Sequence, residues 1–195
     1  MSEARLIRVA GAIAEAMPLG EAALYELVEV GDRRLLGEVI RLRGKVATIQ
    51  VFEETTGLAL GERVVRTGGS LTTRLGPGLL GSILDGVGRP LEGLAARTGD
   101  FIEPGAMLPT LDPEAKWSFE ATAAPGASVV AGDVIGTVEE RPGIVHRVLV
   151  PPGRGGRIAE IQSGTFNVSE PVASLEDGST LSLSHPWSIR ARRPM

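Results

Sequence analysis

Apolar residues recur at every second position through the first third of the chain, the spacing of strands with one buried face. Arg5-Leu6-Ile7-Arg8-Val9-Ala10 opens one such stretch, and residues 24–30 alternate as a second. After the turn Gly31-Asp32, a strand over 36–42 is expected to place Leu36, Glu38, Ile40 and Leu42 on one face and Val39 on the other. A further strand over 46–52 returns across Gly44-Lys45, and shorter ones fit 63–66 and 71–75. Six short strands parted by glycine-containing turns predict a six-stranded antiparallel barrel over residues 1–75.

The pattern changes over 76–112. Leu79-Leu80-Gly81-Ser82-Ile83-Leu84-Asp85 suits a short helix stopped by Gly86, and Pro90 suits the opening of a second at Leu91-Glu92-Gly93-Leu94. This stretch is expected to be a connector with short helices. Strands then return from Trp117 to His185, over 129–130, 134–138, 144–150, 157–161, 172–175 and 180–183. The turns Arg141-Pro142-Gly143, Pro151-Pro152-Gly153 and Asp177-Gly178 separate several of them. A second β module over 113–185 is expected. The fold class is therefore mainly all-β.

Composition narrows the function classes. Basic side chains number 20 and acidic ones 24, so the net charge of −4 argues against general nucleic-acid binding. The absence of cysteine excludes disulfides, thiolate metal sites and cysteine nucleophiles, and two histidines do not make a multi-histidine metal site. No apolar run reaches the ~18 residues of a membrane span, and the first residues carry no signal-peptide core. A soluble, cytoplasmic chain with no direct membrane insertion is expected.

Candidate chemistry is sparse. Gly76-Pro77-Gly78-Leu79-Leu80-Gly81 matches the dinucleotide fingerprint G-x-G-x-x-G, which needs a buried parallel strand before it and a crossover helix after it. Residues 70–75 are polar and alternating, and Gly86, Gly88 and Pro90 interrupt the stretch beyond the motif, so its glycines are read as turn formers. The two lysines, Lys45 and Lys116, lie outside any G-x-x-x-x-G-K-[ST] loop, so a P-loop triphosphate site is absent. Glu53 and Glu54 would point to opposite faces of a strand and make a poor acid/base pair, so they are read as a solvated strand end. His146 in an alternating strand and His185 before Pro186 read as surface or packing residues. Residues 125–138 resemble half of a lipoyl or biotinyl carrier domain, but the corresponding tip, 139–143, offers Arg141 in place of a lysine. Arginine stays protonated and cannot be the acylated amine. No catalytic, cofactor-binding or metal-ligating residue is assigned. Arg141, Arg147, Arg154 and Arg157 fall on turns and strand ends of the second module and are candidates for protein docking.

The chain resembles, from start to end, the N-terminal third of the catalytic A subunit of V-type and archaeal A-type rotary ATPases. The resemblance is carried by stretches 36–42, 50–58, 75–80 and 83–91, by Lys116-Trp117, and by 132–138, 146–152, 175–178 and 185–194. It implies a crown-forming barrel and an inserted bulge module of barrel-sandwich type. It also implies B subunits as partners in an alternating hexamer, further contacts to peripheral and central stalk subunits, and a place in the soluble sector peripheral to the membrane. ATP and magnesium would belong to the nucleotide-binding domain that follows in that family, into which residues 186–195 would lead, so this chain would be inactive alone, either as a fragment or as a naturally truncated relative. A free-standing, non-catalytic β-barrel binding module is the alternative. Arg190, Arg192 and Arg193 are read as a segment leading into another domain rather than as a nucleic-acid tail.

Overall fold

The computed structural model describes residues 3–99 and 102–191. Two compact units divide the chain. One takes Met1–Thr72, Gly93–Leu108 and Ser188–Met195, the other Thr73–Glu92 and Pro109–Trp187. Residues 76–112, expected as a connector, are thus shared between the units.

In the first unit, β1 (Ala4–Ala10), β2 (Ile13–Met17), β3 (Glu26–Val30), β4 (Leu35–Arg43), β5 (Val46–Val51) and β6 (Arg63–Ser70) close a barrel. Its order is β1-β2-β5-β4-β3-β6, with every neighbouring pair antiparallel. Six strands were expected, but the membership differs. β2 was not anticipated because Ile13-Ala14-Glu15-Ala16-Met17 lacks the aromatic and repeated β-branched residues that mark strands. Its alanines point into the lumen, where Ala14 faces Ile49 and Ala16 faces Ala47 across the ladder. A small barrel needs such small residues beside large ones to fill its interior. β7 (Thr72–Leu75), expected as the sixth strand, lies outside the barrel.

The face assignment in β4 also changes. Leu35, Gly37 and Val39 alternate inward, and a register shift between Val39 and Arg41 turns Leu42 toward the core while Ile40 becomes exposed. A bulge adds one residue and reverses the alternation beyond it. Leu36 and Glu38 therefore leave the lumen face, yet both are buried. Gly37 has a steric reason to be glycine, since a Cβ there would lie 2.6 Å from Ile49 Cγ2.

Residues 79–85 form turns and not the expected helix. Gly78 and Gly81 take φ of +94° and +83°, and Leu84 bridges to Pro90. Asp85 Oδ1 accepts the N–H groups of Val87 and Arg89, and Oδ2 accepts Arg89 Nε at 2.7 Å. This side-chain turn competes with helix geometry and wins. α1 (Leu91–Thr98) does begin after Pro90, with Glu92 in its first turn and Arg97 in its last, both favourable to the helix dipole. Gly99, at φ +72°, ends it by donating to Ala95 O.

The second unit contains β8 (Lys116–Ala121), β9 (Ser128–Val129), β10 (Val134–Arg141), β11 (Ile144–Leu149), β12 (Gly156–Ile161), β13 (Gly164–Asn167), β14 (Pro171–Leu175) and β15 (Thr180–Ser182). They make two four-stranded sheets, β11-β10-β8-β13 and β15-β14-β12-β9. Phe119, Val138 and Val148 from one sheet share a core with Ile158, Val172 and Leu181 from the other. β16 (His185–Ser188) pairs with β7 as a two-stranded ribbon.

Gly136 sits where this core is tightest. A Cβ there would fall 2.2 Å from Phe119 Cε2 and 2.5 Å from Glu120 O. Gly136→Ala is expected to destabilise the second unit by about 1–3 kcal/mol through overpacking. Trp117 and Trp187 both lie in that unit, so the urea midpoint of intrinsic tryptophan fluorescence should fall accordingly.

Candidate functional site

The G-x-G-x-x-G stretch is the first place to look for ligand chemistry. Its backbone amides are already engaged: Gly78 N–H donates to Glu140 Oε1 at 2.8 Å and Leu80 N–H to the same oxygen at 3.3 Å. Arg141 Nη2 donates to the Leu80 carbonyl at 3.0 Å, and Gly78 approaches the Trp117 ring so closely that a Cβ would lie 3.1 Å from Cζ2. The preceding strand, β7, belongs to a two-stranded ribbon with β16, and turns succeed the loop in place of a crossover helix. Amides that a pyrophosphate would require are occupied by the chain's own carboxylate.

The other residues weighed from sequence are dispersed. Glu53 accepts Leu36 N–H at 3.1 Å and Gly105 N–H at 2.8 Å, fixing the 102–108 segment beside β4. Gly105, at φ +74°, has room for no side chain there, since a Cβ would collide with Arg33 O. Glu54 caps the Thr56 hydroxyl and amide instead. Glu53 thus does more than end a strand. His146 Nδ1 lies 4.0 Å from Glu140 Oε2, whereas His185 meets Trp187 edge to face at 6.3 Å. Lys45 is exposed, and Lys116 pairs with Glu170 at 3.0 Å. Among the described residues no three His, Cys, Asp or Glu side chains gather in a way that could hold a metal.

Arg141, Arg147, Arg154 and Arg157 are all exposed; Arg141, Arg154 and Arg157 lie on turns or strand ends, whereas Arg147 lies within β11 and not at an end as expected. Arg157 is partly tethered, donating to Gly126 O at 2.8 Å with Glu176 at 3.8 Å. A cavity of about 350 Å³ runs along β12 and β14, lined by Pro125, residues 159–162 and residues 171–174. Glu160 is the only ionisable side chain in that lining.

The barrel carries two buried carboxylates that sequence reasoning did not single out. Glu26 continues the buried face of Val28 and Val30, so its place in the alternation was the available signal. Its side chain is 2% exposed and is met by Arg66 Nε at 2.9 Å, Ala23 N–H at 2.8 Å and Gly68 N–H at 3.1 Å. Burial pushes this carboxyl up, but Arg66 and the two amides outweigh it and hold it below its ordinary value of 4.5. Glu38, equally buried, takes both Nε and Nη2 of Arg190, whose guanidinium lies 4.5 Å from the Tyr25 ring centroid. Cation–π stacking and a forked ion pair together hold Arg190 on the barrel wall. Sequence distance hid this pairing, because 152 positions separate the partners. Arg192 and Arg193 lie outside the described residues.

Because Glu26 is held low in the folded state, the unfolded chain binds its proton at higher pH, and acid favours unfolding. Its contribution is present above pH 4.5 and is lost as pH falls through and below that value. Glu26→Gln is expected to cost about 1–3 kcal/mol at neutral pH and progressively less toward pH 3. Urea unfolding followed by circular dichroism across that range checks both the size and the slope.

Comparison with known proteins agrees with this architecture. Residues 6–68 match the model of the ATP synthase alpha/beta family β-barrel domain, and residues 108–190 match that of the ATP synthase alpha/beta subunit barrel-sandwich domain. The V-type ATP synthase alpha chain of Anaeromyxobacter dehalogenans (strain 2CP-C) is 51% identical over 189 residues, 97% of this chain and 33% of that protein. The A subunit of the A-type ATP synthase of Methanoculleus marisnigri is 47% identical over 191 residues, 97% of this chain and 32% of that one. Its counterpart in Pyrococcus horikoshii is 45% identical over 199 residues, covering 100% and 21%. Among solved structures, the assembled ATPase EscN of the enteropathogenic E. coli type III secretion system aligns over 52% of this chain and 23% of its own length. It is 26% identical, with a TM-score of 0.43. This chain spans a third or less of the length of these curated relatives. With both domains matched in order, the chain belongs to the ATP synthase alpha/beta family and corresponds to the N-terminal part of its V-type and A-type A chains.

Proposed function

We propose that this chain serves ring assembly and stalk contacts in the A subunit of a V/A-type rotary ATPase that couples ATP hydrolysis or synthesis to proton or sodium transport. The observation that carries the reading is identity of 45–51% sustained over at least 97% of the chain, through both domains, to subunits with that name. Its partners would be B subunits alternating with A subunits in a hexamer, with peripheral and central stalk subunits contacting the second unit. It would work on the cytoplasmic side, peripheral to the membrane. No helix among the described residues is long and apolar enough to cross a bilayer.

The chain itself is assigned no catalytic role. No P-loop sequence occurs within it, and the glycine loop at 76–81 directs its amides to Glu140. Titration calorimetry of the 195-residue chain with Mg-ATP is expected to show no saturable binding at micromolar concentration. Saturable binding there would overturn the non-catalytic assignment.

Arginine suits protein contacts because its planar head makes several hydrogen bonds at once. Reversing Arg154 and Arg157 to glutamate in the full-length subunit is expected to leave folding intact and to weaken stalk assembly and coupling. Native gels and ATP-driven ion uptake measure these separately. A double variant that assembles and couples normally would remove this face from the docking surface. To test the assembly reading itself, excess of this chain is added while a rotary ATPase ring is rebuilt from its A and B subunits. Competition that lowers the yield of complete rings is expected, whereas a free-standing binding module would leave the yield unchanged.

A further inference from the structure

Glu140 has one carboxylate oxygen accounted for and one that is not. Its side chain is 2% exposed. Oε1 receives the amides of Gly78 and Leu80, while Oε2 is buried without a hydrogen-bond partner and faces His146 Nδ1 at 4.0 Å. Trp117 Nε1, on the ring that packs against Gly78, is likewise buried without a partner. A carboxylate removed from water is costly unless both oxygens are satisfied, and two backbone amides serve only one of them. A proton on His146 would turn the neutral 4.0 Å approach into an ion pair directed at the orphan oxygen.

We propose that Glu140 and His146 form a proton-linked clasp on the 76–81 loop. Imidazolium His146 fixes the carboxylate that holds the Gly78 and Leu80 amides, and neutral His146 lets that carboxylate loosen. The loop itself contributes no titratable side chain between Gly76 and Gly81. On the strand of Glu140, Glu139 is exposed and alternates to the other face, and Arg141 is directed at the Leu80 carbonyl. From β8, Lys116 is paired with Glu170 and Trp117 brings only its indole N–H. On β11, Arg147 is exposed and alternates away from His146. His146 is thus the titratable group that faces Glu140 Oε2, and an imidazole gains its charge as pH falls from about 8 to about 6. The clasp tightens as pH falls across that range.

Amide hydrogen exchange by NMR on the 195-residue chain tests this, with rates corrected for intrinsic pH dependence. Protection of Gly78 and Leu80 is expected to be about three- to tenfold greater near pH 6 than near pH 8, the range of a partly buried ion pair. His146→Gln should abolish that ratio while leaving the protection measured near pH 8 in place. Glu140→Gln should abolish the ratio too and lower protection at both pH values. If that second variant fails to fold, the His146→Gln comparison decides alone. The amide of Val148, in the core of the same sheet, should not follow the pH change. Equal protection at both pH values in the native chain, a ratio that survives His146→Gln, or a Val148 amide that moves in parallel would each overturn the clasp.

Discussion

Closure of the barrel is the constraint on which the first unit depends. Six antiparallel strands leave no free edge only if the last finds the first, and the β1–β6 ladder that does so is short, pairing Ala4 with Val64 and Arg5 with Arg63. Hydrogen bonds from Leu6 N–H to Glu62 O and from Gly61 N–H to Leu6 O, both 2.8 Å, extend the seam into the preceding loop. Closing on so few strands dictates a narrow lumen. That is why alanines at 14, 16 and 47 and glycine at 37 stand where larger residues would fill an open sheet.

The carboxylates reflect the same geometry. On the barrel wall, Glu26 and Glu38 reach arginines from elsewhere in the unit, 40 and 152 positions away in sequence. Each pair is an unequal partnership, the carboxylate buried at 2% and the arginine at 38% or 50% exposure. The guanidinium stays partly hydrated while the carboxylate is fully satisfied, so much of the desolvation penalty of a wholly buried pair is avoided. Each pair ties together segments that lie far apart in sequence.

Most of the strands were legible because alternation and glycine turns are local signals. This holds for 46–51 and 134–138, where β-branched residues dominate. The failures were equally physical. Ile13–Met17 is alanine-rich for reasons of lumen volume, which no local pattern encodes. The expected helix over 79–85 has a helical spacing of leucines, yet Gly81 at positive φ and the Asp85 turn override it. The faces of β4 were misjudged because a bulge at Ile40 cannot be seen in alternation alone. At the candidate site the residues themselves were visible, but their pairings were not. Glu140 with Gly78, Glu53 with Gly105 and Glu38 with Arg190 are all contacts between residues more than 50 positions apart.

The 76–81 loop shows why a motif must be judged by what its backbone amides face. Successive glycines free two N–H groups to converge on one point, and a phosphate or a carboxylate can occupy that point equally well. Here the point is filled by Glu140, delivered by a strand of the same unit, so the loop's convergent amides become an internal fastening. The same holds for Glu53, Asp85 and Glu26, each of which accepts two backbone amides of its own chain. These four carboxylates are committed to holding turns and strand ends.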